Sequence, residues 1–575
     1  MALRLGQPIR RRPAPAPDTL AALSAQLDCP VLARLYATRG VSPAQLDYRP
    51  RNLLTPDGLH GIDTAVQAVS EVLRDAGRLL VVADYDADGA TGCALAVRGL
   101  RALGASHVDY LVPSRFSTGY GLSTPVAEAA LQRRPDLVLT VDNGIASLDG
   151  IARLRAAGVP VVVTDHHLPG DRLPPANAIV NPRLPGDRFA SKHLAGVGVM
   201  FYLLLALRRR LREQGWFGAG RAEPNLGQLL DLVALGTVAD VVPLDYNNRL
   251  LVAQGLARLN AGGGQPGLRA LLELPPGPAA VTATELGFRA GPRLNAAGRM
   301  DDMSLGIECL LCEDPATAAD MAAALDALNR ERRDVQAQMQ TQAEASLAGL
   351  PQPLPAALCL HAADWHPGVL GIVAARLRER CGRPVVALAP AGDGRWRGSA
   401  RSVSGVHIRD ALAQVAARQP QLLDAFGGHA MAAGLTLAGE QHLPAFAAAL
   451  AEAVLAQTGG VAPDDALDSD GPLGVAELTL ELAQRLQQAG PWGQGFPAPL
   501  FDDVFTVHEA RVVGADHLRL RLSLSGGPPL NAIAWGAASL RGQLTRSMRV
   551  AYQPQVNSWR GMRELQLLVR GLSPA

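Results

Sequence analysis

The chain has 575 residues, which is too many for a single hydrophobic core, so several domains are expected. Hydrophobic residues make up 48% of the sequence and charged residues 19%, as is typical of a soluble globular protein. The formal net charge of +1 does not indicate a globally basic nucleic-acid binder, but it is compatible with a local basic groove.

The beginning of the chain and the cysteines predict a cytoplasmic protein. The basic residues of 1–17 are not followed by an apolar run, so neither a signal peptide nor a membrane anchor is expected there. No stretch of about 18 apolar residues free of charge occurs, and a membrane-spanning helix is therefore not expected. Cys309 and Cys312 form a lone CxxC within an apolar helical pattern, which favours buried thiols in a reducing compartment over a zinc site.

A β/α alternation begins at about residue 61 and predicts an α/β domain over 61–310. Short apolar runs end at about residues 84, 142, 165 and 181, and helical patterns separate them. Strands that alternate with helices imply a parallel sheet with right-handed crossovers. Residues 1–60 are interpreted as an N-terminal extension and lead-in, and the Pro-rich composition of the first 40 or so suggests disorder or a variable extension.

Three further domains are predicted after this one. Residues 311–350 are rich in Ala, Leu, Arg, Glu and Gln and predict a long connecting helix. A second α/β region follows at 351–457. Residues 458–575 contain period-2 segments between Gly/Pro turns, which predict a small all-β domain.

Acidic and imidazole side chains follow three apolar runs of the first domain. They are Asp84, Asp86 and Asp88 after the first run, Asp142 after the second, and Asp165, His166 and His167 after the third. The carboxyl ends of parallel strands lie along one edge, where open α/β folds bind their ligands. Asp240, at the end of a helical apolar run, is a fourth acid that could close the site.

This set of side chains points to divalent metal ions. Carboxylates with one or two imidazoles suit Mn²⁺ or Mg²⁺, and so many carboxylates would repel one another without cations. Two metals about 3.5–4 Å apart can activate water and neutralise the entering and leaving oxygens at phosphorus. Taken singly, an Asp after a strand is more often a helix N-cap, and DxDxDG lacks the spacing of a calcium loop. Their repetition at the ends of consecutive strands favours one shared site.

The motifs resemble those of the DHH phosphoesterase superfamily. DYDADG, VDNGI, TDHH and GTVADVVPL are similar to its four signature motifs, in order, and GGHAMAAG (427–434) is similar to the glycine-rich motif of the DHH-associated domain. Within the superfamily, the single-strand-specific 5′→3′ exonucleases are most similar. That closer likeness is carried by segments 113–122, 291–300, 365–377, 398–412 and 490–501. The resemblance implies that the C-terminal β domain is an OB-fold.

The same resemblance implies roles for the acidic and imidazole residues. Asp86 is expected to bind one metal ion and Asp88 the other, with Asp142 bridging them. His166 and Asp240 would complete the ligands of the second ion.

Three residues are expected to take a catalytic part. They are Asp142, then Asp84 in or just behind the ligand shell, and His167 near the scissile phosphate as ligand, hydrogen-bond donor or acid. Every motif acid is present, which argues against a non-catalytic scaffold. Asn143 departs from many relatives without disturbing the ligand set.

A second set of residues is expected to bind the substrate. Arg115, Ser399 and Arg401 resemble residues that anchor a 5′-terminal phosphate, for which guanidinium and hydroxyl groups are good donors. The other expected substrate-binding residues are Tyr120, a candidate for base contacts, and Arg293, Asn295, Arg299 and His429, which lie in motifs that would line the same cleft. Without the motif context, each arginine would be interpreted as an ordinary ion pair.

The resulting hypothesis is an exonuclease that uses two Mn²⁺ or Mg²⁺ ions to release 5′-mononucleotides from single-stranded DNA, in repair and recombination. Residues 501–575 carry nine Arg and five Asp or Glu, which suits a strand-binding OB-fold. Trp535 and Trp559 are expected in its core rather than as stacking platforms. A single-strand-binding protein or a helicase is an expected partner of a monomeric enzyme. The alternatives are a DHH oligoribonuclease or nucleotide phosphatase, and a non-catalytic replication scaffold.

Overall fold

The computed structural model describes residues 3, 5–114, 121–218, 220–274, 280–350, 353–392, 394–459, 466–559 and 562–575, without the side chain of Trp559. These residues form two compact units. The sheet unit comprises Val41–Arg330 and Gln488–Ala498, and the barrel unit comprises Met1–Gly40, Glu331–Gln487 and Pro499–Ala575. In the described part of the chain, every helix is too short or too polar to span a bilayer.

The described residues among the first 40 are folded as part of the barrel unit. They contain β1 (Ile9–Arg11), α1 (Pro17–Ser24) and α2 (Pro30–Thr38). β1 forms a parallel pair with a strand at Leu467–Ser469, and the Arg39 guanidinium donates to both carboxylate oxygens of Asp470 at 2.8 and 2.9 Å. Of the two alternatives drawn from the Pro-rich composition, disorder was therefore wrong, and a variable extension stays a prediction. Pro here begins both helices at the first turn, where its missing N–H costs nothing.

The sheet unit is built on a parallel five-stranded sheet, as the sequence predicted. Its order is β3-β2-β4-β5-β6. The elements, in chain order, are α3 (Ile62–Arg74), β2 (Arg78–Ala83), α4 (Ala87–Ala102), β3 (His107–Leu111), α5 (Thr124–Gln132), β4 (Leu137–Val141), α6 (Leu148–Ala156), β5 (Val161–Thr164), β6 (Ala178–Val180), α7 (Gly196–Glu213), α8 (Leu230–Ala239), α9 (Tyr246–Asn260), α10 (Pro266–Glu273), α11 (Ala283–Glu285), α12 (Gly291–Met300) and α13 (Ser304–Leu311). A π-helical turn at Leu286–Ala290 leads into α12.

Helices cover both faces of this sheet. Side chains of β2, β4 and β5 pack with those of α5 and α6 on one face, in a cluster that includes Val82, Val138 and Val163. α3, α4 and α7 pack against the other face. β4 is buried at every position, which is the pattern of a central parallel strand covered on both sides. Because β2, β4 and β5 are parallel, their carboxyl ends lie at the same edge of the sheet. The motif residues follow these three strands at that edge.

The barrel unit contains the predicted second α/β domain after a long helix. α14 (Pro315–Ala348) confirms the connecting helix and runs from one unit into the other along the chain. The next elements are β7 (Leu358–His361), α15 (Leu370–Cys381), β8 (Val385–Pro390), β9 (Trp396–Arg401), α16 (Ile408–Arg418), β10 (Leu423–Gly428), β11 (Ala432–Leu437) and α17 (Leu443–Gln457). The sheet order is β10-β11-β9-β8-β7, in which only β7 and β8 are parallel.

The C-terminal part forms a closed five-stranded barrel, which confirms the predicted all-β domain. The elements are β12 (Leu467–Ser469), α18 (Leu480–Gln488), β13 (Phe501–Val513), β14 (His517–Ser523), β15 (Leu530–Ala534), β16 (Ser547–Trp559) and β17 (Met562–Pro574). The barrel order is β13-β14-β15-β17-β16. Gln488, the last residue of α18, and the following residues to Ala498 belong to the sheet unit. This grouping differs from a continuous domain over 458–575, because the intervening residues pack with the sheet unit.

Candidate metal centre

The turn after β2 places the first acidic motif at the beginning of α4. Oδ1 of Asp86 accepts hydrogen bonds from the backbone N–H groups of Asp88 (2.9 Å) and Gly89 (3.0 Å), so Asp86 is also the N-cap of α4. The backbone N–H of Ala87 donates to Oδ1 of Asn295 on α12, 2.9 Å away. These bonds use one oxygen of Asp86 and fix the turn that carries the motif.

The carboxylate of Asp88 is held by the first turn of α7. Gly196 N–H donates to its Oδ2 at 2.6 Å and Val197 N–H to its Oδ1 at 2.9 Å. Burial, and then the charge of Asp86, raise the pKa of Asp88 to about 7, although the two N–H groups act in the opposite direction. A helix N-terminus thus supports a buried carboxylate among other acids.

Asp142 lies at the end of β4 in a left-handed backbone conformation. Its φ of +62° costs of order 1–3 kcal/mol and is rare for a residue with a side chain. The side-chain amide of Asn143 donates to carbonyl groups at the ends of β2 and β4, at 3.0 Å each, and stabilises this turn. α7 approaches so closely that a Cβ on Gly196 would lie 2.5 Å from Cβ of Asp142. Glycine is therefore required at position 196.

Asp165 orients the two histidines that follow β5. Its Oδ1 accepts from the backbone N–H groups of His166 (2.7 Å) and His167 (3.0 Å) and lies 2.8 Å from Nδ1 of His167. Its Oδ2 accepts from the backbone of Ile145 at 2.9 Å. Burial opposes both charges, but their mutual attraction lowers the pKa of Asp165 to about 2 and raises that of His167 to about 9.

His166 lies among three carboxylates. Its Nε2 is 3.0 Å from Oδ1 of Asp142, 3.5 Å from Oδ2 of Asp240 and 3.8 Å from Oδ2 of Asp88. Asp240 follows the last turn of α8, and the next residue, Val241, has a φ of +61°. The end of α8 thus brings the fourth acid to the same edge of the sheet.

The arrangement fits divalent cations. Three overlapping groups have ligand atoms within 4.8 Å of one another: Asp84, Asp86 and Asp142; Asp88, His166 and Asp240; and Asp142, His166 and His167. Burial, together with the neighbouring carboxylates, raises the pKa values of Asp142 and Asp240 well above their ordinary range. Cations relieve that repulsion, and carboxylate oxygens with imidazole nitrogen suit Mn²⁺ or Mg²⁺.

Ser399 and Arg401 lie side by side on β9 of the barrel unit. Nη1 of Arg401 donates to Oγ of Ser399 at 3.0 Å and to the carbonyl of Ala400 at 2.8 Å. Burial, and then the positive charge of Arg378, lower the pKa of Arg401. Within the described residues, no carboxylate pairs with Arg401. A desolvated guanidinium without a carboxylate is expected to bind an anion.

Three protein-family models match the chain. They are the DHH family N-terminal domain at residues 78–237, the DHHA1 domain at 355–456 and the RecJ OB domain at 469–571. The single-stranded-DNA-specific exonuclease RecJ of Salmonella typhimurium is 48% identical over 98% of this chain and 99% of its own. The Escherichia coli protein of the same name is 48% identical over 97% of this chain and 98% of its own. The chain belongs to the RecJ family.

Solved RecJ structures have the same fold. RecJ from Thermus thermophilus in complex with Mn²⁺ superposes with a TM-score of 0.81 at 34% identity, over 98% of this chain and 79% of that one. The Mg²⁺ complex of the Thermus thermophilus protein superposes with a TM-score of 0.75 at 32% identity, over 99% of this chain and 79% of that one. The α/β architecture, the DHH-associated domain and the C-terminal OB domain predicted from the sequence are thereby confirmed.

The structure brings together the residues predicted as metal ligands, and also Asp84 and His167. Their individual roles stay predictions. Sequence reasoning named Asp165 at this RecJ-family site without a role for its carboxylate, and it missed the backbone N–H groups of Gly196 and Val197. Asp165 lies within the TDHH motif, so its position beside two candidate ligands could have singled it out. The hydrogen bonds that α7 donates to Asp88 could not be predicted from the sequence, because they come from backbone N–H groups and not from side chains.

The predicted substrate residues have different surroundings. Arg115 and Tyr120 lie outside the described residues. Asn295 lies against the DxDxD turn, whereas Arg293 donates to Oδ1 of Asp326 at 2.8 Å, as an ordinary ion pair would. Arg299 is partly buried on the same helix.

His429 belongs, with Ser399 and Arg401, to the barrel unit. It follows β10, and its backbone N–H donates to the Ala432 carbonyl at 2.7 Å. Its part in substrate binding stays a prediction, like those of the other substrate residues.

Proposed function

We propose that this chain is a metal-dependent exonuclease that degrades single-stranded DNA from its 5′ end and releases mononucleotides, in DNA repair and recombination. The observation that carries the proposal is the convergence of Asp142, His166 and Asp240 with the DxDxD acids at one edge of the sheet. Nearly full-length similarity to single-stranded-DNA-specific exonucleases supports the substrate.

We assign two divalent ions, Mn²⁺ or Mg²⁺, to this centre. Asp86 and Asp84 would serve one ion, Asp88, His166 and Asp240 the other, and Asp142 both, in keeping with the overlapping ligand groups. When bound, such ions would lower the pKa of a water molecule and neutralise negative charge on the attacking and leaving oxygens.

The protein side chains then orient the reacting groups. Asp165 engages Nδ1 of His167, so the ring presents Nε2 to any further partner. A phosphoryl oxygen of the scissile bond is the natural acceptor for that N–H. The Gly196 and Val197 N–H groups hold the Asp88 carboxylate in place, which limits its movement between substrate binding and product release.

The 5′ polarity is assigned to an anchor for the terminal phosphate that includes Ser399 and Arg401. Arg115, predicted as a further donor to this phosphate, lies outside the described residues. The Arg401 guanidinium is partly buried and has no carboxylate partner among the described residues, which supports the assignment of a phosphate anchor. A terminal phosphate would supply the anion that this guanidinium lacks. A Cβ on Gly371 would lie 2.6 Å from Nη2 of Arg401 and 2.9 Å from Oγ of Ser399. Glycine at this position keeps space open beside both donors.

The OB barrel is assigned a strand-binding face on β13, β14 and β15. Arg511 is directly opposite Arg519 in the ladder, and Arg521, two residues later on the same side, is opposite Glu509. Two like charges directly opposite each other repel and destabilise the strand pair. A bound phosphate between them would replace this repulsion with attraction. Trp535, expected in the core, is instead 50% exposed, and its ring lies 4.6 Å from that of His517. An exposed indole on this barrel suits a stacked base.

Two rival functions were open from the sequence. A DHH oligoribonuclease or nucleotide phosphatase has no need of the OB domain that the chain carries, and a non-catalytic replication scaffold has no need of intact acids. Hydrolysis rates on a long single-stranded DNA and on a dinucleotide separate the first rival. We expect much higher kcat/KM on the long strand. Faster hydrolysis of the dinucleotide would favour the oligonucleotidase, and no Mn²⁺-dependent hydrolysis of either would favour the scaffold.

The cellular setting and the domain bounds belong to the same proposal. The chain is expected to act as a cytoplasmic monomer that cooperates with a single-strand-binding protein or a helicase. The three family models fall within the predicted domains at 61–310, 351–457 and 458–575, which we keep as proposed bounds in sequence, although residues 488–498 pack with the sheet unit.

A further inference from the structure

A short segment from the C-terminal half of the chain packs against the loop that follows the candidate metal ligand Asp240. Residues 490–497, with the sequence GPWGQGFP, belong to the sheet unit although α18 and β13 on either side belong to the barrel unit. We call them the 490–497 segment. They contact the loop at 241–244, which immediately follows the candidate ligand Asp240.

The packing of the segment against the loop is close and specific. The backbone N–H of Leu244 donates to the carbonyl of Gln494 at 2.7 Å. A Cβ on Gly493 would lie 2.7 Å from Cδ1 of Leu244, and one on Gly495 would lie 3.2 Å from Cβ of Pro243. Two glycines therefore let the segment approach at a distance that side chains would prevent.

The segment is itself anchored by aromatic packing. Its turn is closed by two backbone hydrogen bonds between Gly493 and Phe496, at 2.9 and 3.2 Å. Phe496 is 2% exposed and stacks on Trp492 with 5.0 Å between ring centroids. The Arg249 guanidinium lies 4.2 Å from the centre of the Phe496 ring, and its Nη1 donates to the carbonyl of Leu244 at 3.0 Å. Arg249 thus joins the segment to the loop.

The loop that receives this support is strained and partly exposed. Val241 has a φ of +61°, which is unfavourable for a β-branched residue, and it is 63% exposed. A conformation of this kind persists only where its surroundings enforce it. At the end of the loop, Leu244 and Pro243 contact the segment, and the side-chain amide of Asn248 also donates to the Pro243 carbonyl at 2.9 Å.

We infer that the 490–497 segment is a positioning element for the metal centre: by fixing the loop 241–244, it keeps the carboxylate of Asp240 within reach of the ion that His166 binds. The inference rests on the proposed metal function. It also assigns a part in catalysis to residues that lie in sequence between α18 and the OB barrel.

The test is Mn²⁺ binding by the full chain, measured from the electron paramagnetic resonance signal of unbound Mn²⁺. Gly493→Val places a branched side chain against Leu244 and should weaken Mn²⁺ binding by about 10–100-fold, as loss of a support behind a ligand commonly does. Excess Mn²⁺ should restore cleavage. The matched control is Gly542→Val, since a Cβ at Gly542 meets nothing within 4 Å.

Two further variants make the outcome decisive. Phe496→Leu keeps the site apolar but removes the ring below Arg249, and it should show the same loss of Mn²⁺ affinity if Gly493→Val does not fold. Asp240→Asn reports on the proposed function itself. Unchanged Mn²⁺ affinity in folded Gly493→Val or Phe496→Leu, beside a loss in Asp240→Asn, would overturn this inference alone. Unchanged affinity in Asp240→Asn would overturn the metal assignment.

Discussion

Nε2 of His166 lies 3.0 Å from Oδ1 of Asp142, although the two residues follow different strands. Two neighbouring ligands of an octahedral cation with bonds of about 2.1 Å are separated by about 3 Å. The side chains are thus already spaced as ligands of one ion. Asp142 reaches this position through a left-handed backbone turn, which is a sign that function and not stability selects its conformation.

Asp142→Asn should abolish Mn²⁺-dependent cleavage while single-stranded DNA still binds. The loss should be at least about 10³-fold in kcat, because metal-based charge stabilisation contributes several kcal/mol. Cleavage assays and DNA binding in the presence of a chelator would be measured in parallel. Asp149→Asn, on the exposed side of α6, is the control. Full activity in Asp142→Asn would refute the metal assignment.

The metal-free protein should lose stability as the pH rises from about 4 to about 7. Asp88 has a folded-state pKa of about 7, so the folded protein keeps a proton that the unfolded chain releases near pH 4. Its stabilising contribution is therefore complete below pH 4 and is lost by the time the pH passes 7. Denaturant unfolding of wild type and Asp142→Asn would be compared across this range. As the pH rises, the free energy of unfolding of the wild type should fall relative to that of Asp142→Asn, because the variant lacks one of the repelling carboxylate charges.

Mn²⁺ should reverse this loss in the wild type. At a concentration 100 times its Kd, an ion that binds only the folded state stabilises it by about 2.7 kcal/mol. Asp142→Asn should gain much less. Equal gains in both proteins at pH 8 would contradict a role for the Asp142 carboxylate in metal binding.

Arg401→Gln should remove the preference for a 5′-phosphate. Charge-assisted hydrogen bonds contribute about 1.5–3 kcal/mol, so kcat/KM on 5′-phosphorylated strands should fall about 10–100-fold. On 5′-hydroxyl strands it should change little. Arg409→Gln, an exposed arginine on α16, serves as the control. An equal loss on both substrates would mean that Arg401 supports the fold and not the terminal phosphate.

Arg519→Gln with Arg521→Gln should weaken binding to long single strands without slowing hydrolysis of short ones. The slope of log Kd against log salt should fall by about 0.7 for each phosphate that the variant no longer neutralises. Point variants are preferable to deletion of 460–575, because that deletion also removes the 490–497 segment from the sheet unit. An unchanged salt dependence would show that DNA follows another face of the barrel.

The sequence predicted that the candidate ligands lie together because most of them follow directly after the apolar run of a strand. Asp86, Asp142 and His166 each follow an apolar run, and parallel strands bring such ends together whatever the connecting helices contain. The same reasoning did not predict the position of Asp240 as directly, because Asp240 follows a helix and not a strand of the sheet. Its position depends on the packing of α8 against α4, which has no short sequence pattern.

Other features depended on long-range interactions that no local pattern reveals. The Pro-rich beginning of the chain suggested disorder, yet β1 pairs with β12 across more than 450 residues of sequence. Trp535 was expected in the core on composition, but the end of β15 turns it outward. Gly493 and Gly495 could be recognised as turn residues, whereas their packing against the loop beside Asp240 required the structure.

Digestion of single-stranded DNA labelled at either end, with Mn²⁺ and with Mg²⁺, tests the central claim most directly. Early release of 5′ label as a mononucleotide, with 3′ label retained in long products and with duplex DNA left intact, is the predicted result. Early release of 3′ label, or equal attack on duplex DNA, would contradict the account.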